Sequence, residues 1–324
     1  MKKDIFIFTT LHIINKLYVR GCRKGVFYMS FVIIADSASN LDSSLAKKYG
    51  IEIISFHYSI DGEEYLCYAD ENFDFENEAK KYYTLLREGK IIKTSLVSIQ
   101  DYCDIFEKHL KKGEDILSIS ISGNLSGSLN SSINARDIVL EKYPNRKIVC
   151  LDSLNASFGE AMSAIMASKA RDEGKTLEET VNLISPVRMN FRSEFVVDKL
   201  TYLARGGRIS PIVASIGNLL DIKPLLRASS DAKIESFCKV RGKKKAILKL
   251  VETIKENIID PEKQTVYIAH CDDIVEASAL KDLLLKFIPN IKEIYIHQYD
   301  LCSGGHVGPN ALAVFYYGKS RLEK

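Results

Sequence analysis

Short apolar runs that end in polar turns alternate along this chain with longer amphipathic stretches. FVIIADS (31–37) is an apolar run closed by Asp and Ser, the pattern of a buried parallel strand. LDSSLAKKYG (41–50) predicts a helix stopped at Gly50, and IEIISFHYSID (51–61) a second strand turning at Asp61–Gly62. Helices are expected over 77–90 and 98–113, a strand at DILSISI (115–121) and a helix over 129–144. A strand at KIVCLDS (147–153) comes next, then helices over 158–174 and from Thr176 to near Pro186. Strand and helix in alternation imply right-handed crossovers and a doubly wound, Rossmann-like parallel sheet.

The rhythm changes after about residue 190. SEFVVDKLTYLARGGRIS reads as a strand and a helix, and KPLLRASSDAKIESFCKVRGKKKAI as two strands joined by a polar turn. TVYIAHCDD and IKEIYIHQYD read as strands around the helix IVEASALKDLLLKFI, and HVGPNALAVFYYG as a helical turn and a last strand. The fold expected is α/β with two domains, residues 29–190 and a mixed α/β domain over 191–324. Residues 1–28 have basic ends and a polar-interrupted apolar middle. They read as an appendage, too short and polar to span a bilayer.

Composition narrows the function classes. Of 324 residues, 46% are apolar and 27% charged, enough to build a soluble core. A net charge of +3 does not argue for nucleic acid. KVRGKKK (239–245) reads as a solvated loop or hairpin edge. Seven cysteines without a C-x-x-C pair point to reduced thiols in a cytoplasm.

Candidate chemistry gathers at strand ends. In ISISGNLSGSLNSS (119–132) a strand passes through a Ser/Gly turn into a helix, whose N-terminus offers unpaired N–H groups. The turn has no lysine and no G-K-[ST] ending, so Ser122, Ser126 and Ser128 suit a carboxylate better than a polyphosphate. Helix capping by Ser126 or Ser128 is the bland reading of the same residues. In KTSLVSIQD, Ser98 and Asp101 resemble a capping box, so Thr94 and Ser95 need another reason, and Thr94 is expected to face Ser122 across a crevice at the carboxyl edge of the sheet. Asp36 reads as a strand stop and cap, while Ser153 is open between capping and the crevice. Arg208 follows a Gly–Gly helix stop, and His306 sits among the glycines of CSGGHVGPN. The histidines have no metal-ligand spacing, and no cofactor motif is present.

These pieces, in this order, resemble the DegV family of bacterial fatty-acid-binding proteins. The likeness covers nearly all of residues 30–318. It rests on VIIADSASNL, KTSLVS, ISISGNLSGS, CLDSLNASFGEAM, FVVDKLTYLARGGRIS, IGNLLDIKPLL, KVRGKKKAI and GGHVGPNALAVFYYG. The resemblance implies a long-chain fatty acid held between two domains. It also implies, as in FakB-type members, presentation to a separate ATP-binding kinase subunit related to dihydroxyacetone kinases. That kinase makes the acyl phosphate used in phospholipid synthesis. Carried over by position, Thr94, Ser95 and the loop Ser122–Gly123–Ser126 would hold the carboxylate, His306 would sit behind them, and Arg208 would face the kinase or the acyl phosphate. The chain departs from the family where Gly123 stands for a second serine, Ser128 for threonine, Leu96–Val97 for Gln–Pro and Asn310 for glycine.

Three readings compete. The first is a non-catalytic lipid carrier with no cofactor and no stable membrane insertion. The second is a serine acyl hydrolase using Ser122 or Ser126 with His306. The third is a regulator that uses the basic 239–245 edge on an anionic partner.

Overall fold

The computed structural model describes residues 31–68, 70, 72–210 and 222–323. The expected appendage at 1–28, and part of the segment IGNLLDIKPLL, lie outside them.

The first four strands expected of a wound sheet are β1 (Phe31–Asp36), β2 (Ile51–Ile54), β6 (Asp115–Ser120) and β7 (Ile148–Asp152). They pair in parallel in the order β2-β1-β6-β7. Ile33, Ile34, Ile116 and Leu117 are fully buried, as a sheet covered on both faces requires. Helices α1 (Ser43–Tyr49), α3 (Ile99–Leu110), α4 (Ser128–Lys142), α5 (Phe158–Asp172) and α6 (Leu177–Ile184) complete this part. Gly50 ends α1 with a left-handed φ of 55°, and the Ser98–Asp101 capping box starts α3 as expected.

One expectation needs correcting. The apolar run 51–61 is not one strand: after β2 the chain turns at Ser55–Phe56 into β3 (His57–Ile60). The Phe56 N–H donates to Ser37 Oγ at 2.9 Å and Tyr68 N–H to Ser55 Oγ at 2.9 Å, which pulls the backbone out of the parallel sheet. β3 instead joins β4 (Glu63–Leu66) and β5 (Ile92–Ser95) in a small antiparallel sheet, with α2 (Phe75–Arg87) between β4 and β5.

The second sheet domain has six strands. They are β8 (Phe191–Val196), β9 (Ile222–Ala228), β10 (Ile234–Arg241), β11 (Thr265–His270), β12 (Glu293–Gln298) and β13 (Leu312–Tyr317), ordered β10-β9-β8-β13-β11-β12. Only β11 and β12 pair in parallel. Alternation along the strands gives this sheet two apolar faces. Val196, Leu225, Ile268 and Val314 pack against α8 (Lys243–Asn257) and α9 (Ile274–Phe287). Their neighbours Phe195, Leu226, Tyr267 and Phe315 point the other way, into the core that contains β1 and α5. The basic run divides: Lys239–Arg241 end β10, the edge strand of the antiparallel β9–β10 pair, as a hairpin edge would, but Lys243–Lys245 open α8 rather than a loop. Lys243 Nζ lies 2.9 Å from Asp273 Oδ2, so part of that charge is neutralised.

Candidate ligand-binding site

A cavity opens between residues of the first part (Thr94, Ile121, Ser126) and of the second sheet domain (Phe195, Ile234, His306), with about 190 Å³ of room for water-molecule centres. Its wall has two characters. Thr94, Ser126, Arg208 and His306 supply one polar group, while Phe56, Ile121, Phe195, Ile234 and Phe315 supply aromatic and aliphatic surface.

The polar group is built from distant segments. Thr94 is on β5, and His306 is on the short helix α10 (Leu301–Val307), which Asp300 caps through Ser303 N–H at 2.6 Å. Thr94 Oγ1 lies 2.9 Å from His306 Nε2. Two glycines before the histidine have steric reasons to be there. A Cβ on Gly304 would sit 1.9 Å from the Tyr83 hydroxyl, and one on Gly305 2.1 Å from that of Tyr82. The other side of the ring rests on Gly206, after α7 (Thr201–Arg205), where a Cβ would meet His306 Nδ1 at 2.1 Å. Burial pushes the His306 imidazole down to about 4, and Arg208 and Arg205 push the same way. The ring is therefore neutral near pH 7. With its proton on Nε2 it donates to Thr94, whose own hydroxyl proton is then free for an anion.

The serine loop is arranged differently from the simplest expectation. Ser122 is fully buried, and its hydroxyl donates to Ala232 O at 3.0 Å while accepting from Asn124 N–H at 3.2 Å. It ties the loop to the β9–β10 turn and is not in the cavity wall. Gly123 is exposed, its N–H 3.4 Å from Asp152 Oδ2. A Cβ there would press Leu129 at 3.0 Å. Ser126 does line the cavity, with its hydroxyl 3.2 Å from that of Ser128. Ser128 in turn accepts from Val97 N–H. Ser95 is exposed at the end of β5. Arg208 is half-buried, donating from Nε to Leu125 O at 3.0 Å and from Nη1 to Gly206 O, so its guanidinium braces the loop at the cavity rim. Among the described residues the Ser153 hydroxyl bonds only to the Asn155 backbone, a local turn role, and Asp36 caps as expected. The structure thus brings Thr94, Ser126, Arg208 and His306 together and leaves Ser95, Ser122 and Gly123 outside the wall. Among the described residues no serine and no carboxylate bonds the His306 ring, and no group of acids, histidines or cysteines is placed to hold a metal.

The apolar wall was not nameable from sequence. Its signal is present in FVVD and ALAVFYY, where alternation marks one face of β8 and β13, but two-faced burial hides which face meets a cavity.

A family model described as "Uncharacterised protein, DegV family" matches residues 30–319. The chain belongs to the DegV family. A DegV domain-containing protein of Clostridium perfringens is 35% identical, over 90% of this chain and 98% of its own length. Among solved structures, the Bacillus subtilis DegV, called a fatty acid binding protein, superposes with a TM-score of 0.76 at 26% identity, covering 90% of this chain and 100% of that one. A Thermotoga maritima protein whose structure revealed fatty acid binding gives 0.75 at 26%, covering 89% and 98%. DegV-fold proteins thus include fatty acid binders. This chain shares their α/β architecture, a parallel sheet joined to a second sheet domain. Among its described residues, no helix is long and apolar enough to cross a membrane.

Proposed function

We propose that this DegV protein binds one long-chain fatty acid in the cavity between its domains, residues 29–190 and 191–324. It then presents the carboxylate to a separate ATP-dependent fatty acid kinase in the cytoplasm for acyl phosphate formation. The observation that carries the reading is the division of one cavity into a Thr94–Ser126–His306–Arg208 end and an aromatic-aliphatic wall. A chain burying about 14 methylenes gains roughly 11 kcal/mol before association costs. One hydrogen bond to the carboxylate adds about 1.5–3 kcal/mol. The tail therefore sets affinity and the polar end sets orientation. In this reading Thr94, Ser126 and His306 hold the head group, and Ser122 and Gly123 shape the loop beside it. Ser95 lies at the rim, and Arg208 faces the kinase. The chain itself is not a catalyst.

Native mass spectrometry of gently purified protein is expected to show a bound acyl chain, and delipidated protein to melt several degrees higher with added palmitate or oleate. Protein that carries no lipid and does not respond to either fatty acid contradicts the proposal. Arg208→Ala is expected to keep most fatty acid affinity and to lose acyl phosphate formation with the kinase; equal loss of both would remove the partner role.

Gly206→Ala tests the polar end separately. Its φ of −74° suits alanine, so the new Cβ acts only by displacing His306 from Thr94. Fatty acid affinity is expected to fall at least about tenfold, the value of a hydrogen bond to a charged group, in a protein that still folds. Unchanged affinity in a competition titration would exclude His306 from the head-group site.

A further inference from the structure

One polar side chain in the apolar part of the cavity has no partner among the described residues. Ser193 is 7% exposed, lines the cavity from β8 and stands directly opposite Phe315 of β13. Its hydroxyl meets no hydrogen-bond partner among the described residues. The other polar groups of the wall are mostly committed. Thr94 pairs with His306, Ser126 with Ser128, and Arg208 with Leu125 O. Asn155 donates to Phe191 O at 2.7 Å and accepts from Ala156 N–H at 3.1 Å. Ser303 Oγ is also unpaired, but it belongs to α10 beside His306 and the head-group end.

Ser193 is on the tail side. The C-terminal end of β8 leads through α7 to Arg208, and Ser193 lies two residues before Phe195, about 6.6 Å further from that end along the strand. A saturated tail running past it would leave the hydroxyl facing methylenes. A site with a buried hydroxyl favours a ligand that completes its hydrogen bond over one that leaves it unmade.

We infer that the cavity selects acyl chains that carry an oxygen along the tail, such as a hydroxyl, and that Ser193 is the residue that selects them. This rests on the fatty-acid reading of the same cavity. Both the ligand hydroxyl and Ser193 can donate and accept, so one pair satisfies both on a wall that Ser193 shares with Phe195, Phe315, Ala228 and Ile234.

The test is calorimetric titration of delipidated wild type and Ser193→Ala with stearate, 10-hydroxystearate and 12-hydroxystearate. In the wild type at least one hydroxystearate is expected to bind about fivefold more tightly than stearate, the worth of one net hydrogen bond. In Ser193→Ala that preference is expected to vanish while stearate binding is kept. Stearate binding with no preference for either hydroxy acid, or a preference that survives Ser193→Ala, overturns the inference and leaves the fatty-acid site intact. Failure of stearate itself to bind the wild type overturns both.

Discussion

Asn40→Ala is expected to lower folding stability by about 4 kcal/mol, a large effect for one polar side chain. Asn40 follows the turn after β1 with φ 63° and ψ 17°, a left-handed conformation that asparagine tolerates and alanine does not. It is also a buried polar staple between the domains. Its Nδ2 donates to Gln298 O at 2.8 Å, while its Oδ1 accepts from Asp300 N–H and from Ser157 Oγ. All four residues are buried, so truncation takes the acceptor from the Asp300 N–H and from the Ser157 hydroxyl, and one of two partners from Gln298 O, which keeps His297 Nδ1 at 2.8 Å. Each such loss costs about 1–3 kcal/mol, and the left-handed backbone adds roughly 1–2 kcal/mol. Because Asp300 starts the helix that carries His306, ligand affinity should fall with stability. Urea unfolding of Asn40→Ala, Asn40→Gly and Asn40→Asp separates the causes. Glycine restores the backbone preference only, and aspartate restores the Oδ1 acceptor. A midpoint for Asn40→Ala within 0.5 kcal/mol of wild type would show that the domains are not held here.

The same residue shows how far the sequence could be read. VIIADSASNL announced a strand, a cap and a turn, and the local chemistry gives all three: Asp36 Oδ1 accepts from Ala38 N–H and Asp42 caps α1. That Asn40 reaches a segment more than 250 residues away follows from the meeting of two sheets, which no local pattern encodes. Thr94 was legible as a hydroxyl that the Ser98 capping box does not use and His306 as a histidine among glycines, and Gly304 and Gly305 now have named reasons in Tyr83 and Tyr82. Their contact, across more than 200 positions, was not legible. Ser122 looked equivalent to Ser126 in the serine loop. Only the β9–β10 turn, which supplies Ala232 O, turns the first inward and leaves the second at the cavity. Asn310, a departure from the family's glycine, proves to be a connector. With φ 62° it accepts from Arg87 Nη2 at 3.1 Å and donates to Asp198 Oδ2 at 3.0 Å, linking α2 to the second sheet domain.

The interface that Asn40 staples also holds three carboxyl groups away from water, and these set the second large effect. Burial pushes Asp36 up to about 7, although Ala38 and Ile121 donate N–H groups to it, and pushes Asp300 up to about 8. Glu160 is raised as well, by burial first and then by Asp36; neither of its oxygens has a hydrogen-bond partner among the described residues. A carboxyl whose folded value is raised contributes stability that is full below its unfolded value, 3.8 for aspartate, and is lost as pH rises through the folded value. His270 and His306 act oppositely. Burial lowers both to about 4, so their contribution is full above 6.5 and lost as pH falls toward 4. The two sets oppose each other between pH 4 and 6.5. Above 6.5 the carboxyl loss continues unopposed by His270 and His306 and is joined by that of His109 and His297, which are raised above 6.5 and lose stability in the same direction. Asp300→Asn isolates one member. Asparagine keeps the acceptor that caps Ser303 N–H but cannot ionise. Between pH 6.5 and 8.5 the ligand-free wild type is expected to lose about 2 kcal/mol more than Asp300→Asn, the value of roughly 1.5 pH units of retained proton. Urea midpoints at the two pH values measure it. Parallel losses in the two proteins would mean that Asp300 is ionised throughout, and that the interface tolerates a buried charge beside the helix that positions His306.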